Sequence, residues 1–157
     1  MDAARAIGGL RLARRRGRRP AWGHYDTGSG TLAPHDPDDP EYQFPDLLRP
    51  AGDARLSVGD YARFALLHLR GLRGSPGLLS AATLQTLHTP NGEYALGWGV
   101  QRVAGATTSF RVGSAGTFAA CVMIQPDRDI AVVILSNAGS DRAINAVQSA
   151  AIDVLTR

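Results

Sequence analysis

Lysine is absent from this 157-residue chain, so all 17 of its basic side chains are arginine. The absence removes chemistry that depends on an amine able to give up its proton. A Walker A loop, a Schiff base and a Ser-x-x-Lys nucleophile pair cannot be built from this polypeptide alone. Arginine does not substitute as a general base, because its guanidinium stays protonated at any working pH. Cysteine is nearly absent too, and the single Cys121 allows no intramolecular disulfide. Within the apolar run from Phe118 to Ile124 it reads as a small buried hydrophobe rather than a nucleophile. His24, His35, His68 and His88 lack zinc-ligand spacing, and there is no Cys-x-x-Cys pair to complete a site, so no metal or other cofactor is expected. Long apolar runs are missing as well. None reaches the roughly 18 residues of a membrane-spanning helix. Ile7 to Leu12, interrupted by Gly8, Gly9 and Arg11, is too short for the core of a secretory signal, so export is not encoded in these residues and the location stays open, cytoplasmic only by default.

The formal net charge of +3 is unevenly spread. Residues 1–20 hold seven arginines against Asp2, leaving 10 arginines and 13 acids in the rest, a net of −3. The basic character therefore belongs to one end. Arg14, Arg15, Arg16, Arg18 and Arg19 have no aromatic stacking platform or groove-reading module beside them, so they read as a solvated, weakly structured segment and not as a nucleic-acid site.

At 44% hydrophobic, the remainder is long enough for one ordinary core. Six of the nine prolines lie between Pro20 and Pro50, together with the acidic run His35 to Glu41. Residues 21–50 therefore read as an extended surface loop. The acids lack the alternating ligands and central glycine of an EF-hand loop, so a calcium site is not expected. Helices are expected over 57–90. Ser57 and Asp60 form a Ser-x-x-Asp capping box, Tyr61, Phe64, Ala65 and His68 follow at helical spacing, and Gly71 reads as the stop. His68 on that stripe reads as a packed, hydrogen-bonded histidine. A second helix runs from Ser80 through Leu84 and Leu87 to His88. Strands are expected at about 94–103, 107–112, 117–125 and 130–136, with Pro126 to Asp129 closing the last hairpin. Asp141 to Leu155 has the spacing of a closing helix that turns Ile144, Val147, Ala151 and Val154 to the sheet. The expected class is α+β, an antiparallel sheet flanked by helices.

Several short segments carry a family resemblance through their order. They are Pro20-Ala21-Trp22-Gly23-His24, then Pro50-Ala51-Gly52 leading into Ser57 to Phe64, then Leu79 to Leu84 with Leu87-His88-Thr89-Pro90. Tyr94-Ala95-Leu96-Gly97-Trp98, Arg111-Val112-Gly113-Ser114 and the run Gln125 to Asn137 follow. This series, over roughly residues 20–157, resembles the C-terminal half of the β-lactamase-related serine hydrolases, the group of class C β-lactamases, DD-peptidases and esterases. The resemblance implies the C-terminal portion of the β-lactamase/transpeptidase-like fold. It also implies a small-molecule or peptide acyl substrate, and a missing N-terminal half bearing the serine, its lysine and a Tyr-x-Asn or Tyr-x-Ser element. Tyr25-Asp26-Thr27 superficially suggests the last of these but lacks the Asn or Ser.

The family's Lys-Thr-Gly or His-x-Gly triplet has Arg111-Val112-Gly113 as its counterpart here. A cation is kept, so a substrate carboxylate could be held by paired hydrogen bonds. Proton transfer by a histidine is lost, and Val112 offers no hydroxyl. The resemblance makes Arg111, Gly113 and Ser114 substrate-binding candidates, with the backbone N–H of Ser114 an oxyanion-hole donor. Gly28-Ser29-Gly30 and Gly113-Ser114-Ala115-Gly116 both miss the Gly-x-Ser-x-Gly spacing of a nucleophile elbow. Two functions stay open: a fragment of a serine hydrolase that is inactive alone, or a noncatalytic, degenerate module kept for binding.

Overall fold

The computed structural model describes residues 21–36, 39, 46–52, 54–75, 77–92 and 94–157. The basic segment 1–20 and most of the acidic run lie outside the described residues. The described elements are β1 (Gly23–Asp26), β2 (Leu32–His35), α1 (Arg49–Gly52), α2 (Val58–Leu72) and α3 (Ala81–His88), followed by β3 (Gly99–Val103), β4 (Ala106–Ser114), β5 (Ala119–Gln125), β6 (Ile130–Ser136) and α4 (Asp141–Leu155). The chain is α+β, as its patterning predicts.

β3 to β6 form a four-stranded antiparallel meander in sequence order. Its central strand β5, Ala-Ala-Cys-Val-Met-Ile-Gln, is apolar almost throughout because helices cover both faces of the sheet. Ala119, Cys121 and Met123 pack with Val147, Ala151 and Leu155 of α4. Val122 and Ile124 pack on the other face with Ala65 and Leu69 of α2 and with Trp98. Gln125, the polar end of the strand, is also buried, and the side chain compensates by donating from Nε2 to the Val103 carbonyl and to Thr108 Oγ1, 2.9 Å each.

Ser57 caps α2 by accepting the Asp60 N–H at 3.1 Å. The Asp60 carboxylate accepts from the Ser57 hydroxyl at 2.7 Å and from Arg63 at 2.6 Å. Gly71 is not the helix stop. It is buried inside α2, and a Cβ there would collide with Leu84, so the missing side chain lets α3 approach. Gly74, at φ +82°, ends the helix, with its N–H bonded to the Gly71 carbonyl and the Ser75 N–H to that of Arg70.

Three further expectations are corrected. Residues 21–50 are not one extended loop, since β1 and β2 pair as an antiparallel hairpin, Gly23 opposite His35 through Asp26 opposite Leu32. Its turn is tied by Asp26 Oδ1, which accepts the N–H groups of Gly28 and Gly30 at 2.8 and 3.2 Å. The strand expected from 94 begins only at Gly99, because residues 95–98 form a turn closed by the Ala95 N–H on the Trp98 carbonyl at 2.9 Å. Val154 is exposed on the flank of the α4 stripe, and Leu155 takes its place in the core. The hairpin Pro126–Asp129 stands as expected, Asp129 adopting the left-handed conformation at φ 56°.

Candidate functional site

β4 is longer than β3, and the difference shapes the site. Pairing with β3 covers Ala106 to Phe110 and ends at Gly99 opposite Phe110. Arg111 to Ser114 run on, paired only with β5: Arg111 opposite Val122, Val112 opposite Cys121, Gly113 opposite Ala120 and Ser114 opposite Ala119. Among the described residues no strand pairs with 111–114 on the β3 side, so this stretch presents an open strand edge.

Strand alternation divides the four side chains. Val112 packs with Phe110 into the core under α4. Arg111 shares the opposite face with its pair Val122, toward α2, and is exposed. Its Nη1 donates to the Tyr94 hydroxyl at 2.5 Å, which fixes the guanidinium against the turn that precedes β3. A Cβ on Gly113 would meet nothing within 4 Å, so glycine is not demanded there by packing and the space beside the backbone is empty. The Ser114 hydroxyl donates to the Gly139 carbonyl at 2.8 Å and accepts the Gly116 N–H at 2.9 Å, so it serves the turn ending the strand.

That turn is itself clamped. The His24 N–H donates to the Thr117 carbonyl at 3.0 Å and the Gly139 N–H to the His24 carbonyl at 3.1 Å, so β1 is wedged between the two loops. Any Cβ on Gly139 would strike the Gly116 backbone, and one on Gly23 would strike Thr117 and Phe118. The end of β4 is therefore held at Ser114 by the turn and at Arg111 by Tyr94.

Nearby ionisable groups are set by burial. Cys121 is fully buried and its thiol is pushed up to about 11 by desolvation, which keeps it a thiol at neutral pH. Tyr61 of α2 is pushed up to about 12, chiefly by burial and then by Cys121, with Arg111 acting the other way. His68 is buried and hydrogen-bonded as expected, its Nδ1 lying 2.8 Å from His88 Nε2. Tyr25-Asp26-Thr27 belongs to β1 and its turn, where Thr27 Oγ1 donates to the Thr31 carbonyl at 3.1 Å. Among the described residues there is no cluster of three His, Cys, Asp or Glu that could hold a metal, and no helix long and apolar enough to cross a membrane.

Two hollows lie elsewhere. One of about 620 Å³ sits on the outer side of α3, lined by Gln85, Thr89, Pro90 and Leu96 among others, and one of about 210 Å³ lies between the β1–β2 turn and α4. Neither is lined by Arg111, Gly113 or Ser114, which face open surface. Sequence spacing missed Tyr94 as the partner of Arg111 and His88 as that of His68. Each pair closes through a tertiary turn, and no periodic pattern carries it.

A family match, not the strand order, places the chain in a serine hydrolase-like superfamily. A family model described as Beta-lactamase matches residues 9–155, and the chain belongs to that family. Comparison with curated proteins and with solved structures gave no match.

Proposed function

We propose that this chain supplies the C-terminal, substrate-facing part of a β-lactamase-related serine hydrolase domain. The intact domain would acylate its serine with a β-lactam, peptide or ester and then hydrolyse the acyl-enzyme. The observation that carries this reading is the overhang of β4, four residues with an edge that no described strand pairs with, an exposed cation and an empty space beside Gly113. Arg111 would take a substrate carboxylate, Gly113 would let the acyl group lie against the backbone, and the Ser114 N–H would donate to the developing oxyanion. Because the chain has no lysine, the Ser-x-x-Lys pair has to come from polypeptide outside these 157 residues.

The chain alone is therefore expected to be inactive. A site without its nucleophile keeps only binding and oxyanion effects. With a chromogenic cephalosporin and a p-nitrophenyl ester, turnover should not rise above background. Turnover that is abolished by a serine-directed inhibitor would overturn the reading.

A second reading, a noncatalytic binding module, draws on the sheet being covered by α2 on one face and α4 on the other. Such a core could stand without further chain. Sedimentation separates the two: a compact, cooperatively melting monomer favours the module, whereas association through exposed apolar surface favours the fragment.

A further inference from the structure

The interface between α2 and α3 is built around two histidines that the candidate site does not use. His68 and His88 are 5% and 7% exposed, and their facing nitrogens lie 2.8 Å apart. Trp98 lies tilted against both rings, with centroids 5.0 Å from His68 and 4.3 Å from His88, and Phe64 lies 4.5 Å from His68. The second nitrogen of His88, Nδ1, is buried with no hydrogen-bond partner among the described residues. A buried polar atom left unpaired in an aromatic cage is costly, so this arrangement is not what packing alone would select.

We propose that the His68–His88 pair is an acid-released latch, which at neutral pH fastens α3 and the 94–98 turn to α2 and on protonation lets them separate. The chemistry follows from counting protons. With both rings neutral, one N–H donates to the other ring's lone pair. One added proton leaves that bond possible but places a charge in an apolar cage. A second puts N–H against N–H at the contact, and the bond is lost.

Among the described residues of the packed elements, no carboxylate is placed to compensate such a charge. α3 contributes His88 alone as a titratable group, and β6 contributes none. On the 94–98 turn the titratable residue is Tyr94, and on β5 it is Cys121, which faces α4. α2 adds Tyr61, Arg63 and Arg70 besides Asp60. Asp60 is the carboxylate described on these elements, and it is engaged with Ser57 and Arg63 about 12 Å along the helix from His68. Burial lowers both histidines, His88 to about 4, with the neighbouring His68 as its second cause.

A lowered folded pKa means that the open state binds protons first, so the latch is fully closed above about 6.5 and weakens as pH falls towards 4. The pair reaches further than α3. Trp98 belongs to the same turn as Tyr94, and Tyr94 holds Arg111. Opening would therefore release the guanidinium at the strand edge. Its relevance to catalysis rests on the function proposed above, but the latch itself does not.

The test is amide hydrogen exchange of the full chain at pH 7.5 and pH 4.5, corrected for intrinsic exchange, with the histidine ring resonances titrated in parallel. Protection of α3 and the 94–98 turn should fall at least tenfold relative to β5 and β6 at the lower pH, and His88 should titrate below pH 5. In His88→Gln, where only His68 of the pair can still charge, the difference between the two pH values should shrink clearly. Loss of protection in step across α3 and β5 would overturn the latch, as would an unchanged acid response in His88→Gln. If the variant fails to fold, His88 titrating at 6 to 7 in the unmodified chain overturns it equally. None of these readouts involves turnover, so failure of the hydrolase reading leaves them intact.

Discussion

Val112 and Cys121 are opposite each other in the sheet, yet the strands they belong to end in different ways. β5 is enclosed: Cys121, Met123 and Ile124 are fully buried, with α4 on one face and α2 on the other. The end of β4 keeps only Val112 in the core, while Arg111, Gly113 and Ser114 are exposed. The difference teaches how one sheet holds both a packed strand and an open edge, and the function proposed above places the chemistry on the edge. β5 spends its side chains on packing. The last residues of β4 are positioned by that packing, and no described strand pairs with their β3-side edge.

If that division holds, Ile124→Ala should produce the largest effect. Removing a fully buried branched side chain between α2 and the sheet typically costs about 2 to 5 kcal/mol. Chemical denaturation should show the loss, and a change under about 1 kcal/mol would mean that the α2 face is not the core described. Acid comes next. With His88 lowered from 6.5 to about 4, stability should drop by about 3 kcal/mol between those values and change little above pH 7. Denaturation midpoints across pH 4 to 8 would check both the size and the sign. Smallest of all should be Arg111→Ala and Gly113→Ala, each within about 0.5 kcal/mol of the unmodified chain, since one side chain is exposed and a Cβ at the other meets nothing. A large loss at either position would erase the contrast and make the edge structural.

The enclosed region was the more legible in sequence. An uninterrupted apolar run between turn residues, followed by a helix with Val147 and Ala151 in phase, specifies a covered sheet with little ambiguity. The β1–β2 hairpin was hidden by Pro34 and the acidic run beside it, which suit a loop equally well. An edge strand tolerates proline where no ladder N–H is needed, which local sequence does not reveal. Gly71 was misread because the reason for glycine there is the approach of Leu84 from another helix. At the site, the triplet 111–113 was marked by its place in the order of motifs. Its hold on Tyr94, and the turn-binding role of the Ser114 hydroxyl, depend on contacts made across 17 and 25 residues.

The most direct test joins the chain to a co-expressed segment bearing Ser-x-x-Lys and compares the complemented protein with its Arg111→Ala variant. If the β4 edge is the substrate wall, complementation should restore hydrolysis. Arg111→Ala should then lower kcat/KM for carboxylate-bearing substrates at least tenfold more than for neutral esters. Equal losses for both classes, or none, would contradict the account and return Arg111 to the surface.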